Sequence, residues 1–182
     1  MTNDMFTHLR APGPHPSLGA HADTYGRVLG SWRGEVHSHM TPGAITSASL
    51  EVHFAWVLEG RAVQDVWITP ARADRDAGRT GSLDWYGTTL RVFDPASESW
   101  RATWFNPVTG LVVHLEGRRQ GDDIVQIGTR GGRPIRWTFS EIGARSLRWQ
   151  GHILEADGFT WKLEVDVHLQ RIGERQEGAH HV

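Results

Sequence analysis

A chain of 182 residues with a formal net charge of −2 predicts one globular domain. Hydrophobic residues make 38 % and charged residues 22 %, which excludes a disordered tail, and no apolar run approaches the length of a membrane span. The chain has no cysteine, so disulfides, thiolate catalysis and cysteine-held metals are excluded, and basic residues spread along the chain argue against a nucleic-acid partner.

Residues 1–20 carry Pro12, Pro14 and Pro16 among small and polar residues and read as a loosely attached leader. The start, MTNDMFTHLR, lacks a basic region followed by an apolar one, so a cytoplasmic protein without a secretory signal is expected. Asp23 to Leu29 has the length of one or two helical turns, a short plug before the strands. From there to about residue 172 the chain alternates in short runs broken by turn signals such as Pro42-Gly43, Glu59-Gly60, Asp94-Pro95, Gly131-Gly132 and Asp157-Gly158. Ten strands are expected, at 31–40, 48–58, 61–69, 86–94, 99–106, 111–118, 123–129, 134–140, 145–154 and 159–171. Residues 70–84 are long for a connection and read as a lid or an insertion. In the last strand Trp161, Leu163, Val165, Val167 and Leu169 share one face, opposite Lys162, Glu164, Asp166, His168 and Gln170. Residues 173–182 read as a polar tail.

Ten meandering strands leave two exposed edges unless they close, so the expected fold is all-β, a closed antiparallel up-and-down barrel. Charge pairing suggests registers. With 106 opposite 111, Arg101 faces Glu116 and Trp104 meets Val113. With 153 opposite 161, Arg148 faces Asp166 and Trp149 meets Val165. Trp137 opposite Trp149 joins the eighth and ninth strands to the same inner face.

The segment Gly30-Ser31-Trp32-Arg33-Gly34 resembles the Gly-x-Trp opening of the calycins, the lipocalins and their fatty-acid-binding-like relatives. The wider pattern, with Trp56-Val57-Leu58-Glu59-Gly60-Arg61, Tyr86-Gly87 and Asp94-Pro95, is similar to a group of bacterial lipocalin-like proteins of unassigned function. The resemblance implies a calycin-like barrel whose Trp32 plugs the closed end under a late basic residue, here Arg171. The Arg-x-Tyr that fatty-acid-binding proteins turn on a carboxylate is missing.

Asp65 is the sharpest candidate for chemistry. A two-residue turn at Glu59-Gly60 places it opposite Phe54, on a face shared with Val52, Trp56, Val63 and Trp67. A carboxylate there is costly unless paired or protonated, and desolvation raises its pKa toward that of a general acid or base. It is equally read as an Asp held structurally by an interior Arg, or as turned outward by a one-residue slip. Pairing 90 with 104 sets Tyr86, Thr88, Leu90, Trp104 and Asn106 as a second inner group, either a pocket edge or a watered strand end. Six of the nine tryptophans, Trp56, Trp67, Trp104, Trp137, Trp149 and Trp161, fall on inner faces, as a packed core or as walls around a flat ligand. His37, His39 and His53 could approach one another, but on a wet outer face with Arg33, Glu35 and Glu51, so no metal is expected. Haem binding, as in the nitrobindin relatives of the calycins, would need an inward axial histidine near the end, and none is evident, so no cofactor is expected.

The leading expectation is binding of a small, mainly apolar or aromatic molecule inside the barrel. Trp56, Trp67, Trp104 and Trp149 would form walls, and Asp65, Tyr86, Thr88 and Asn106 would orient the ligand. The alternatives are a cofactor-independent cyclase or isomerase using Asp65 and Tyr86, and a packed barrel whose outer face binds a protein. The 18 arginines against the single Lys162 point to a GC-rich, bacterial genome.

Overall fold

The computed structural model describes residues 4–79 and 81–173. Among them, ten antiparallel strands close into a barrel in the order β1-β10-β9-β8-β7-β6-β5-β4-β3-β2. The strands are β1 Gly30–Ser38, β2 Thr46–Val57, β3 Ala62–Thr69, β4 Trp85–Asp94, β5 Ser99–Asn106, β6 Leu111–Gln120, β7 Asp123–Arg130, β8 Arg133–Ser140, β9 Ser146–Leu154 and β10 Trp161–Arg171. Each neighbours the next in sequence, so hairpins suffice to build the wall, and β1 pairing with β10 removes both edges.

Several expected registers form. Phe54 pairs with Asp65, Trp56 with Val63 and Val52 with Trp67. Asn106 pairs with Leu111, Arg101 with Glu116 and Trp104 with Val113. Three registers differ. Trp104 pairs with Thr89 rather than with Leu90, so β4 presents its other face inward. Phe139, not Trp137, pairs with Trp149, and Trp137 lies opposite Gly151. In β10 a bulge between Leu163 and Val165 shifts the register by one. Trp161 and Leu163 therefore pair with the outer-face Leu154 and His152, and Trp161 lies outside with the Arg136 guanidinium 4.6 Å from its ring centroid. Arg148 still reaches Asp166, Nε to Oδ1 at 2.8 Å, although its direct opposite is His168.

One end of the barrel is closed from inside. Trp32 is fully buried and donates from Nε1 to the Val28 carbonyl at 2.8 Å. Arg171 covers it as the resemblance implied, its guanidinium 4.0 Å from the ring centroid. Gly30 makes this approach possible: its φ of 105° suits glycine, and a Cβ there would lie 2.6 Å from Arg171 Nη1. The expected helical plug is α2, Ala22–Gly26, which follows a 3-10 turn at Pro16–His21. It inserts Tyr25, wholly buried, against Trp100, ring centroids 5.2 Å apart.

The leader is not loose over its described part. After the short helix α1, Met5–Leu9, Leu9 O accepts from Leu58 N, Ala11 N donates to Trp56 O, and His15 N donates to Gly60 O, each at 2.9 Å. Leu18 is buried under the same end. The prolines that suggested a detached segment instead mark a path along the end of β2, satisfied by three backbone bonds. The segment 70–84 contains the short helix α3, Arg72–Asp76, and packs on the outer wall of β2, where Arg72 pairs with Glu51 and Asp74 accepts from Ser49. Among its described residues it is thus anchored beside the wall. The expected tail lies outside the described residues apart from Gly173. No helix among the described residues is long and apolar enough to cross a membrane.

Candidate functional site

The inward face of β3 carries Val63, Asp65 and Trp67, and that of β4 carries Trp85, Gly87, Thr89, Arg91 and Phe93. Asp65 is 1 % exposed and Arg91 is equally buried. Arg91 Nη2 lies 2.7 Å from Asp65 Oδ2, and Asp65 Oδ1 accepts from Thr89 N at 2.6 Å. Arg91 Nε donates to Gln126 Oε1 at 3.2 Å, which also accepts from the Tyr25 hydroxyl at 2.8 Å. The guanidinium sits 5.0 Å from the Tyr25 ring centroid. Burial pushes the Tyr25 phenol up to about 12, with the Arg91 charge pulling the other way.

Asp65 is therefore the inward carboxylate expected from the hairpin, in the form of an Asp held by an interior Arg. The pairing of 90 with 104 expected from the sequence would turn Arg91 outward, whereas Trp104 pairs with Thr89 and Arg91 lies inside. Asp65 chooses the phase: its partner Thr89 must share its face, and alternation then carries Arg91 inward. Gly87 sits inward for a steric reason, since a Cβ there would lie 2.4 Å from the Trp104 indole.

This inversion moves two expected site residues. Tyr86 is 43 % exposed on the outer face, and Thr88, also outside, accepts from Gln64 Nε2 at 3.0 Å and donates to the Asp65 carbonyl. Neither borders the interior. Trp56 does point inward, 5 % exposed, but it packs at the plugged end near Gly26. Trp67, Trp104, Asn106 and Trp149 do come together.

They line a cavity of about 240 Å³ at the end opposite the plug. Its walls are Trp67, Trp85, Trp104, Trp137 and Trp149. The Trp67 and Trp149 centroids are 5.3 Å apart, Trp137 and Trp149 5.5 Å, and Trp104 and Trp137 6.5 Å, all tilted or edge-on. Thr89 and Arg91 form the polar inner end. Gly151, opposite Trp137, keeps the wall thin where a Cβ would crowd Trp149 at 3.1 Å. The exposed Met40 and Thr109 border the mouth. Asn106 there accepts at Oδ1 from Val108 N, 3.2 Å, and so holds the β5–β6 turn.

The β10 bulge contributes a residue the sequence placed outside. Glu164 lines the mouth, where Arg130 Nη2 lies 2.7 and 2.6 Å from its two carboxylate oxygens. Only an irregularity in the alternation of β10 could have revealed it. The histidines lie elsewhere: His53 pairs with Ser31 and His37 with Ser47, so the two do not face each other. Among the described residues none of the cavity's lining side chains is a histidine, and no group of three or more His, Asp or Glu is placed to hold a metal.

No family model matches the chain, and no curated protein does. Solved structures do. The Rv2717c protein of M. tuberculosis aligns with a TM-score of 0.58 at 18 % identity, over 87 % of this chain and 99 % of that one. The S-type phycobiliprotein lyase CPES of Guillardia theta aligns with a TM-score of 0.53 at 12 % identity, over 82 % of this chain and 90 % of that one. This chain has a calycin-like barrel. At these identities the likeness concerns the fold.

Proposed function

We propose that the barrel binds a small, flat, mainly apolar or aromatic molecule in the indole-lined cavity. The observation that carries this reading is the cavity itself: five tryptophans, in tilted and edge-on contact with one another, surround a space of about 240 Å³ that their rings do not fill. Native cores are packed close to crystal density, so retained apolar space with a few polar groups at its ends marks a ligand site. The fold likeness to a protein named as a phycobiliprotein lyase is in keeping with a small-molecule site, on a barrel with a similar plan.

The volume sets the scale of the ligand. At about 30 Å³ per water in the liquid, the cavity equals roughly eight waters, which suits one or two fused rings. Burying about 200 Å² of such a ligand contributes about 5 kcal/mol before association costs, equivalent to a Kd of about 0.2 mM at best, so simple aromatics should bind with Kd in the millimolar range.

An enzyme using Asp65 and Tyr86 draws no support from their positions, one locked beneath Arg91 and the other on the outer wall. The test is a titration of tryptophan fluorescence with naphthalene and 2-acetonaphthone. Saturable quenching is expected, weakened at least ten-fold by Trp104→Ala and by Leu111→Trp, which fills the mouth from a partly exposed position. Absence of a saturable response, or responses unchanged in both folded variants, would overturn the reading.

A further inference from the structure

The charged side chains that line the cavity are Arg91, Arg130 and Glu164. Each is already neutralised within the protein. Arg91 is paired with Asp65 across 2.7 Å, and Arg130 with Glu164 across 2.6 Å. A charged ligand would thus enter a cavity with no uncompensated counter-charge and would lose its hydration on the way. The donors are not all spent. Arg91 Nε serves Gln126 and Nη2 faces Asp65, while Nη1 is buried with no hydrogen-bond partner. A buried N–H without an acceptor is costly, and an acceptor arriving from the cavity side relieves it.

We infer that the ligand of this cavity is an uncharged aromatic molecule bearing a hydrogen-bond acceptor, a carbonyl, ether or ring nitrogen, which Arg91 recognises while Asp65 cancels its charge. This rests on the binding reading above and narrows its ligand class. Arg91 acts as a donor of fixed direction, held by Asp65 and Gln126 and stacked beside Tyr25. Asp65 acts as the device that turns away anions, because removing its charge would leave a free guanidinium at the inner end of an apolar site.

The experiment compares three probes of nearly the same shape, naphthalene, 2-acetonaphthone and 2-naphthoate, at neutral pH by tryptophan quenching. In the wild-type protein the ketone should bind several-fold tighter than the hydrocarbon and at least ten-fold tighter than the carboxylate. In Asp65→Asn, checked for a cooperative melt, 2-naphthoate should gain at least ten-fold relative to the ketone. If naphthalene matches the ketone, or if the carboxylate binds as tightly in the wild type, the inference is overturned while the binding reading stands. If the wild type binds none of the three, both fall. Should Asp65→Asn fail to fold, the wild-type ranking alone decides.

Discussion

Asp65 shows how one residue constrains its surroundings. Its place opposite Phe54 follows from a two-residue turn, and burial then demands a partner, which Arg91 supplies from the neighbouring strand. A buried pair of this kind contributes little net stability, yet loss of one member costs about 3–5 kcal/mol because the other charge is stranded. Beside it, Tyr25 gives a pH signature. The folded phenol is pushed up to about 12 by burial, whereas an exposed tyrosine titrates at about 10. The folded state therefore favours the protonated form. Its contribution is intact below about pH 10 and is lost as pH rises toward about 12. Urea midpoints measured across that range should fall more steeply for the wild type than for Tyr25→Phe. At neutral pH the substitution should cost about 1 kcal/mol through the lost bond to Gln126. An identical alkaline slope in both proteins would show that Tyr25 is not the group responsible.

At the scale of elements, legibility depended on whether one alternation phase was clearly more apolar. In β2, β3 and β5 the inner face was plain, and Trp56, Asp65, Trp67, Trp104 and Asn106 all point where the pattern put them. In β4 both phases carry apolar residues, so alternation does not single out the inner one, and the structure takes the phase opposite to that expected: Tyr86 and Thr88 lie outside, Thr89 and Arg91 inside. In β10 the phase changes mid-strand at the bulge, which sends Trp161 out and brings Glu164 to the mouth. The leader is an element in its own right. Three backbone hydrogen bonds tie it to the β2–β3 end, so deletion of residues 1–15 should cost about 3 kcal/mol. Because the cavity lies at the opposite end, the same deletion should leave probe binding within about two-fold, a change read at about 0.4 kcal/mol. A two-state urea titration with and without probe checks both parts, and loss of binding in a folded deletion would place the leader's influence at the cavity.

At the scale of the molecule, closure is the feature on which the rest depends. β10 joins β1 on one side and β9 on the other, so truncation after residue 156 would open two long edges at once. Such a chain should aggregate rather than form a smaller barrel, as sedimentation and far-UV spectra would show, and a soluble monomeric product would refute this. Alternation and turn residues by themselves determined an antiparallel barrel with an aromatic interior, the resemblance carried by the Gly-x-Trp segment implied its plugged end, and Asp65 stood between an inward and an outward phase. These are local properties, carried by runs of a few residues. Only the tertiary structure decided which phase β4 adopts, where β10 bulges, that Arg91 is the partner of Asp65, and that five indoles leave a cavity at the open end. Each of these depends on pairing and packing between distant strands. Alternation alone offers two faces per strand, and the choice goes to the one that lets buried charges meet and large rings fit.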